Sequence, residues 1–168
     1  MAIEYISVRC GPVRLGGFGF GISRSYNILV RPFEWSEEFG ISVPEIDAEH
    51  QAMFRLADSL YEALIADAST DQLALLRELA THMAGHLSHE ESLMRASGYP
   101  LGAWHQRQHA AASGKLRLLE RRIRRGDHSA ALLVLDLSVW LKNHIRLADR
   151  MLAAYLRNHQ RAQAALAS

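Results

Sequence analysis

Seven side chains in this sequence are of types that ligate metals through nitrogen or carboxylate oxygen: His50, His86, Glu90, His105, His109, His144 and Asp149. His86 with Glu90, and His105 with His109, stand four residues apart, so each pair shares a helix face one turn apart, a spacing suited to chelation. Burying several imidazoles without partners is costly, because each ring carries a donor and an acceptor. A metal removes that cost, since imidazole is the commonest protein metal ligand. His144 and Asp149 are five residues apart, which does not keep one face of a regular helix. For Asp149 to join the set, the chain must break or bend near His144.

The elements that position these residues read as helices from Pro44 onward. A first segment carries Ile46, His50, Met53, Ala57, Leu60 and Leu64 on one face. A second, with Ser69–Thr70 as cap candidates, carries Leu75, Leu79, His82, His86, Glu90 and Leu93. A third carries His105, His109, Ala112, Leu116, Leu119 and Ile123, and a fourth Ala130, Leu133, Leu137, Trp140 and His144. Gly98–Tyr99–Pro100 and Gly126–Asp127 punctuate the pattern. Connections this short make neighbouring helices antiparallel, so the expected fold is all-α, an up-down-up-down four-helix bundle over residues 33–168. In that arrangement the start of the first helix, the end of the second, the start of the third and the end of the fourth share one end of the bundle. The ligand types all fall there.

Ligand chemistry then narrows the metal. Five imidazoles and two carboxylates, with no thiolate, exceed what one tetrahedral zinc takes. Two ions bridged by Glu90 and Asp149 use the whole set and leave one coordination position open. Imidazole with carboxylate suits iron, and zinc or manganese can also occupy such a site. His82, one turn before His86, is expected in the core or hydrogen-bonded behind the ligands. His89, His128 and His159 are expected in solvent. Trp140, Leu141, Ile145, Phe54 and Met94 are expected as apolar neighbours that keep the site dry.

The chain has 168 residues, with 19 Lys+Arg against 18 Asp+Glu and a formal net charge of +1. That balance gives no field directed at nucleic acid or an anionic membrane. The run Arg121, Arg122, Arg124, Arg125 ends a helix and complements its dipole. Cys10, the one cysteine, forms no internal disulfide, and no apolar run approaches the roughly 18 residues of a membrane span. The start lacks a secretory signal, so the expected address is the cytoplasm. Five of the 11 glycines (Gly11, Gly16, Gly17, Gly19, Gly21) fall in the first stretch of chain. Residues 1–32 therefore read as an irregular or flexible extension, with at most a short strand at Tyr26–Val30.

The stretches "VPEIDAEH", "HLSHEESLM", "YPLGAWHQRQH" and "WLKNHIRLAD" resemble the four signature segments of bacterial hemerythrins. The resemblance covers about residues 33–156, and Trp35 resembles the tryptophan that opens that family's N-terminal arm. It implies a non-heme di-iron centre with an oxo or hydroxo bridge. In it His105, His109 and His144 hold one iron, and His50 and His86 hold the iron with the open position. Glu90 and Asp149 bridge the two. Some positions depart from the usual pattern: Glu49 stands where glutamine is common, Leu87 where phenylalanine often follows, His82 where an aromatic is expected, and Ala112 is small. Leu87 and Ala112 are expected to loosen the pocket.

The implied function is reversible binding of dioxygen for transport, storage or delivery, with no enzymatic activity. An oxygen-consuming enzyme or redox protein is the expected partner, and a monomer the expected state. The alternatives are oxygen or redox sensing, and di-iron catalysis on peroxide or nitric oxide.

Overall fold

The computed structural model describes residues 32–66 and 71–167. The extension expected over residues 1–32, including the strand at Tyr26–Val30, lies outside them except for Pro32. Among the described residues, five α-helices follow a short arm: α1 Pro44–Ile65, α2 Gln72–Ser97, α3 Gly102–Arg124, α4 Ala130–His144 and α5 Arg150–Ala167. A π-helical segment, Ile145–Asp149, joins α4 to α5. α1 packs on α2 and α4, and α3 packs on the same two, which closes the four-helix bundle expected from the spacing. Among the described residues no helix is long and apolar enough to cross a membrane.

Local chemistry sets the helix ends. Pro44 occupies the first turn of α1, where its missing N–H costs nothing, and Glu45 and Asp47 favour the positive end of the dipole. α2 is capped by Asp71, whose carboxylate accepts from the Ala74 N–H at 3.0 Å. The cap is thus not Ser69 or Thr70, which lie outside the described residues. α2 ends on Gly98 in the left-handed region, φ 66°. There Tyr99 N–H donates to Met94 O at 2.9 Å and Gly98 N–H to Arg95 O at 3.3 Å, a Schellman cap. Gly126, φ 62°, ends α3 in the same way, with Asp127 N–H donating to Arg122 O at 3.1 Å.

The arm before α1 is stitched to the fourth rod. Ser36 caps a 3-10 turn at Glu37–Phe39, and the rings of Trp35, Phe39 and Phe54 cluster at 5.4–5.9 Å. Arg146 lies over the Phe39 ring at 4.7 Å and donates to Glu38 Oε1 at 2.7 Å. Arg157 donates to the Ile41 carbonyl at 2.9 Å.

The buried residues fall into two apolar clusters. The larger holds Ile46, Met53, Phe54, Leu60, Leu79, Met83, Leu87, Leu119, Leu137, Leu141 and Ile145, among others. The smaller holds Met94, Tyr99 and Leu152, with Tyr155 and Leu156 against it. In α2 the buried face runs through Leu76, Leu79, Met83, His86, Leu87, Glu90 and Met94. The expected face was rotated slightly away from this one. Leu75 and Leu93 are only half-buried, and His82 is exposed. His82 belongs neither to the core nor to the histidines' surroundings, because the helix steps four residues from Leu79 to Met83, and the apolar methionine takes the inward place.

Gly98 carries one conformational demand that no other residue meets cheaply. A Cβ there would meet nothing within 4 Å, so substitution costs only the left-handed backbone. Gly98→Ala is expected to lose about 1–2 kcal/mol, read as a lower denaturant midpoint at unchanged slope.

Candidate metal centre

All seven ligand-type side chains meet at one level of the bundle, between the two apolar clusters, and all are buried: His50, His105, Glu90 and Asp149 show no exposure. α1 brings His50, α2 His86 and Glu90, α3 His105 and His109, and α4 His144. Asp149 arrives through the π segment. The regular α-helix stops at His144, as the five-residue spacing required. From there the Arg150 N–H reaches back five residues to the Ile145 carbonyl, and the wider turn swings Asp149 onto the face of His144. Asp149 Oδ1 then lies 3.1 Å from His144 Nε2.

The side chains form two groups that share Glu90. One comprises Glu90, His105, His109 and His144, the other His50, His86, Glu90 and Asp149; within each, one potential ligand atom per residue lies within 4.8 Å of every other. Asp149 spans the groups with different oxygens: Oδ2 is 3.1 Å from His50 Nε2, and Oδ1 is 3.2 Å from His105 Nε2. Glu90 turns Oε2 toward both, at 3.2 Å from His109 Nε2, 3.4 Å from His105 Nε2 and 3.7 Å from His86 Nε2.

These approaches leave much of the hydrogen-bonding capacity unmet. His86 Nε2, His109 Nε2, both His50 nitrogens, and both oxygens of Glu90 and of Asp149 are buried without a hydrogen-bond partner. Buried polar atoms are ordinarily paired. An array of bare nitrogens and oxygens converging on one centre has the donor chemistry that fits cations, with imidazole and carboxylate as the ligand types.

Electrostatics inside the site agree with that reading. Burial alone would lower the His105 imidazole, but the close carboxylates of Asp149 and Glu90 outweigh it and raise it to about 9. His86 is also raised: burial opposes its charge, while Glu49, Glu90 and Asp149 favour it. Against burial, the imidazoles hold Glu90 below and Asp149 well below the usual carboxylate range. A cation entering here must displace protons from the imidazoles, so its binding releases them.

Two further carboxylates stand behind the imidazoles. Glu49 Oε2 accepts from His86 Nδ1 at 3.0 Å, and its Oε1 lies 2.8 Å from His89 Nδ1. The hydrogen bond to His86 holds Glu49 at about 2. Glu91 Oε1 stands 3.0 Å from His109 Nδ1. Each fixes the ring so that Nε2 points inward and makes that nitrogen a stronger donor. His89, expected in solvent, is instead half-buried and holds Glu49. Glu49 was noted only as a departure from a family pattern, and Glu91 was missed. Glu49 carries a signal in standing beside His50, whereas what Glu91 touches is decided by the packing of α2 against α3. The Trp140 ring stacks on His144 at 4.5 Å and 18°, and Phe54, Leu141, Ile145 and Met94 are buried as expected.

A family model described as the hemerythrin HHE cation-binding domain matches residues 42–156. The chain is 28% identical over 128 residues to a bacteriohemerythrin of Stenotrophomonas maltophilia, covering 74% of this chain and 82% of that protein. It is 29% identical over 125 residues to one from Ralstonia nicotianae, covering 73% and 88%. It is 29% identical over 126 residues to one from Clostridium acetobutylicum, covering 70% and 96%. The matched span begins before His50 and closes after Asp149, taking in every residue of the buried polar layer, and the chain belongs to the hemerythrin HHE cation-binding family.

Proposed function

We propose that the buried layer holds two iron ions and that the protein binds dioxygen there reversibly, for transport, storage or delivery. The observation that carries this reading is the set of unpartnered nitrogens and oxygens that two groups of side chains aim at one centre, with Glu90 common to both. His105, His109 and His144 would hold one ion, His50 and His86 the other, and Glu90 and Asp149 both. The two-imidazole side has one fewer protein ligand, and that leaves a place for a small gas molecule. When bound, the iron pair supplies the electrons that dioxygen takes up and returns.

The chain's own residues do the rest. Glu49 and Glu91 orient His86 and His109. Trp140 backs His144, and the apolar residues on either side of the layer keep water from it. Binding ranks above catalysis because oxidative di-iron enzymes of the bundle type draw on Glu-rich sets with Glu-x-x-His pairs. Here the pairs are His86 with Glu90 and His105 with His109. Sensing would reuse the same site.

Iron-loaded protein carried from nitrogen to air and back to nitrogen is expected to gain a coloured form and lose it again, with iron content measured alongside. Rapid one-way passage to a ferric state would instead favour sensing or catalysis. His86→Ala should lower iron content toward one per chain by emptying the two-imidazole side; full content would contradict that assignment. Glu49→Ala should weaken metal binding by about 10–100-fold in a competitive chelator titration, with Glu49→Gln in between. Unchanged affinity in both would remove the orienting role of Glu49.

A further inference from the structure

A row of aromatic rings that the metal centre does not use for ligation leads from it to the surface. His105 and Tyr99 lie 6.5 Å apart between ring centroids. Tyr99 and Tyr155 lie 5.1 Å apart. Tyr155 and His159 follow at 5.8 Å, their planes 17° apart. Tyr155 and His159 are half-buried, and from Gln160 onward α5 is exposed. The row begins at a fully buried imidazole and ends on a helix face open to another molecule.

These rings are held in place. The Tyr155 hydroxyl donates to the carbonyls of Ser97 at 3.0 Å and Gly98 at 3.3 Å, which ties α5 to the cap of α2. Tyr99 packs with Met94 and Leu152, and His159 Nε2 lies 3.0 Å from Gln163 Nε2. The Tyr99 hydroxyl, by contrast, is buried with no hydrogen-bond partner. Burial raises the Tyr99 phenol above its usual value, and Asp149 and Glu90 add to the effect. With no hydrogen-bond partner to take the hydroxyl proton, the ring serves as a dense medium between its neighbours and not as a radical.

We propose that Tyr99, Tyr155 and His159 form a one-electron path by which an external reductant restores the metal pair after it has been oxidised. The proposal rests on the iron reading given above. Loss of electrons to oxygen leaves both irons in the +3 state, and the return to +2 takes two electrons, one per iron. Two encounters with a one-electron donor, a reduced haem protein reaching the exposed end of α5, supply them. Each donor leaves one electron poorer, solvent protons balance the added charge, and the three side chains end as they began.

The test uses the full chain, iron-loaded and oxidised, with a ruthenium polypyridyl photoreductant attached through Ala162→Cys in a Cys10→Ser background. Position 162 lies one turn from His159 on the same helix face. After a flash, the ferric absorbance should decay about tenfold or more slowly in Tyr99→Leu and Tyr155→Leu, and within about threefold of the parent in the two Phe variants. Each variant is first shown to hold the parent's iron content and ferric spectrum; a parent without paired iron defeats the underlying reading before any flash is fired. Leu variants at the parent rate, or slowing confined to Trp140→Leu, would overturn the path. Phe variants as slow as Leu would overturn the neutral-ring route. Where a Leu variant does not fold, the reductant moved to Glu62→Cys, exposed on α1 and 12 residues along the helix from His50 as position 162 is 13 from Asp149, gives a second measure at comparable distance. Slower decay from there supports the path, and an equal rate overturns it.

Discussion

Each buried polar atom left without a hydrogen bond costs about 1–3 kcal/mol, and this chain concentrates such atoms at one level of an otherwise apolar bundle. The Nε2 atoms of His50, His86 and His109 and all four oxygens of Glu90 and Asp149 face that level unpaired. The apolar packing on either side must hold the layer together against this cost. The larger cluster runs along the bundle from Leu60 and Leu119 up to Ile145, and the smaller one closes the far side with Met94, Tyr99 and Leu152. Short Schellman-capped turns at Gly98 and Gly126 keep the rods in register so that the imidazoles arrive at the same height. On the proposed reading, a cation at the centre would turn the bundle's weakest layer into a cross-link between α1, α2, α3 and α4.

The carboxylates outside the layer show how that cross-link is aimed. Glu49 comes from α1 but grips His86 of α2, and it also holds His89 on the following turn. Glu91 comes from α2 and reaches His109 of α3. Each therefore fixes an imidazole on a neighbouring helix, and the orientation of a ligand ring depends on helix packing as much as on its own rotamer. Their charge sits behind the rings, so the site gains electron-rich nitrogens without adding negative charge to the buried core.

Much of this was legible from residue order. Strictly alternating steps of three and four along α1, α3 and α4 reveal one inward face per helix, and the turn glycines give the antiparallel order that gathers the ligand types. The reading of α2 slipped where two steps were both plausible: from Leu79 the sequence offers His82 at three and Met83 at four. Leu79, His86 and Glu90 lie on both candidate faces, so the error moved only flanking residues. Glu91 was not legible because a position next to a ligand points along the helix flank, and only the distance to the next helix decides what it touches. The five-residue gap between His144 and Asp149 did signal an irregularity, and hydrogen bonding settles its form as a wider turn that keeps the rod continuous.

That wider turn has a consequence for how such a sequence tolerates change in length. One surplus residue in a helix rotates everything after it by about 100° relative to an unbroken α-helix. With this number of residues, Asp149, Leu152 and Ala153 all face inward only because the wider turn absorbs the surplus. Loss of a single residue between Ile145 and Ala148 would bring His144 and the acid to a four-residue spacing, and a regular helix would then keep both, and the apolar face beyond them, turned inward. Gain and loss of a residue along this stretch are thus unequal: the wider turn already absorbs one surplus residue, so losing it leaves the inward face in place, while a further insertion rotates everything beyond it toward water.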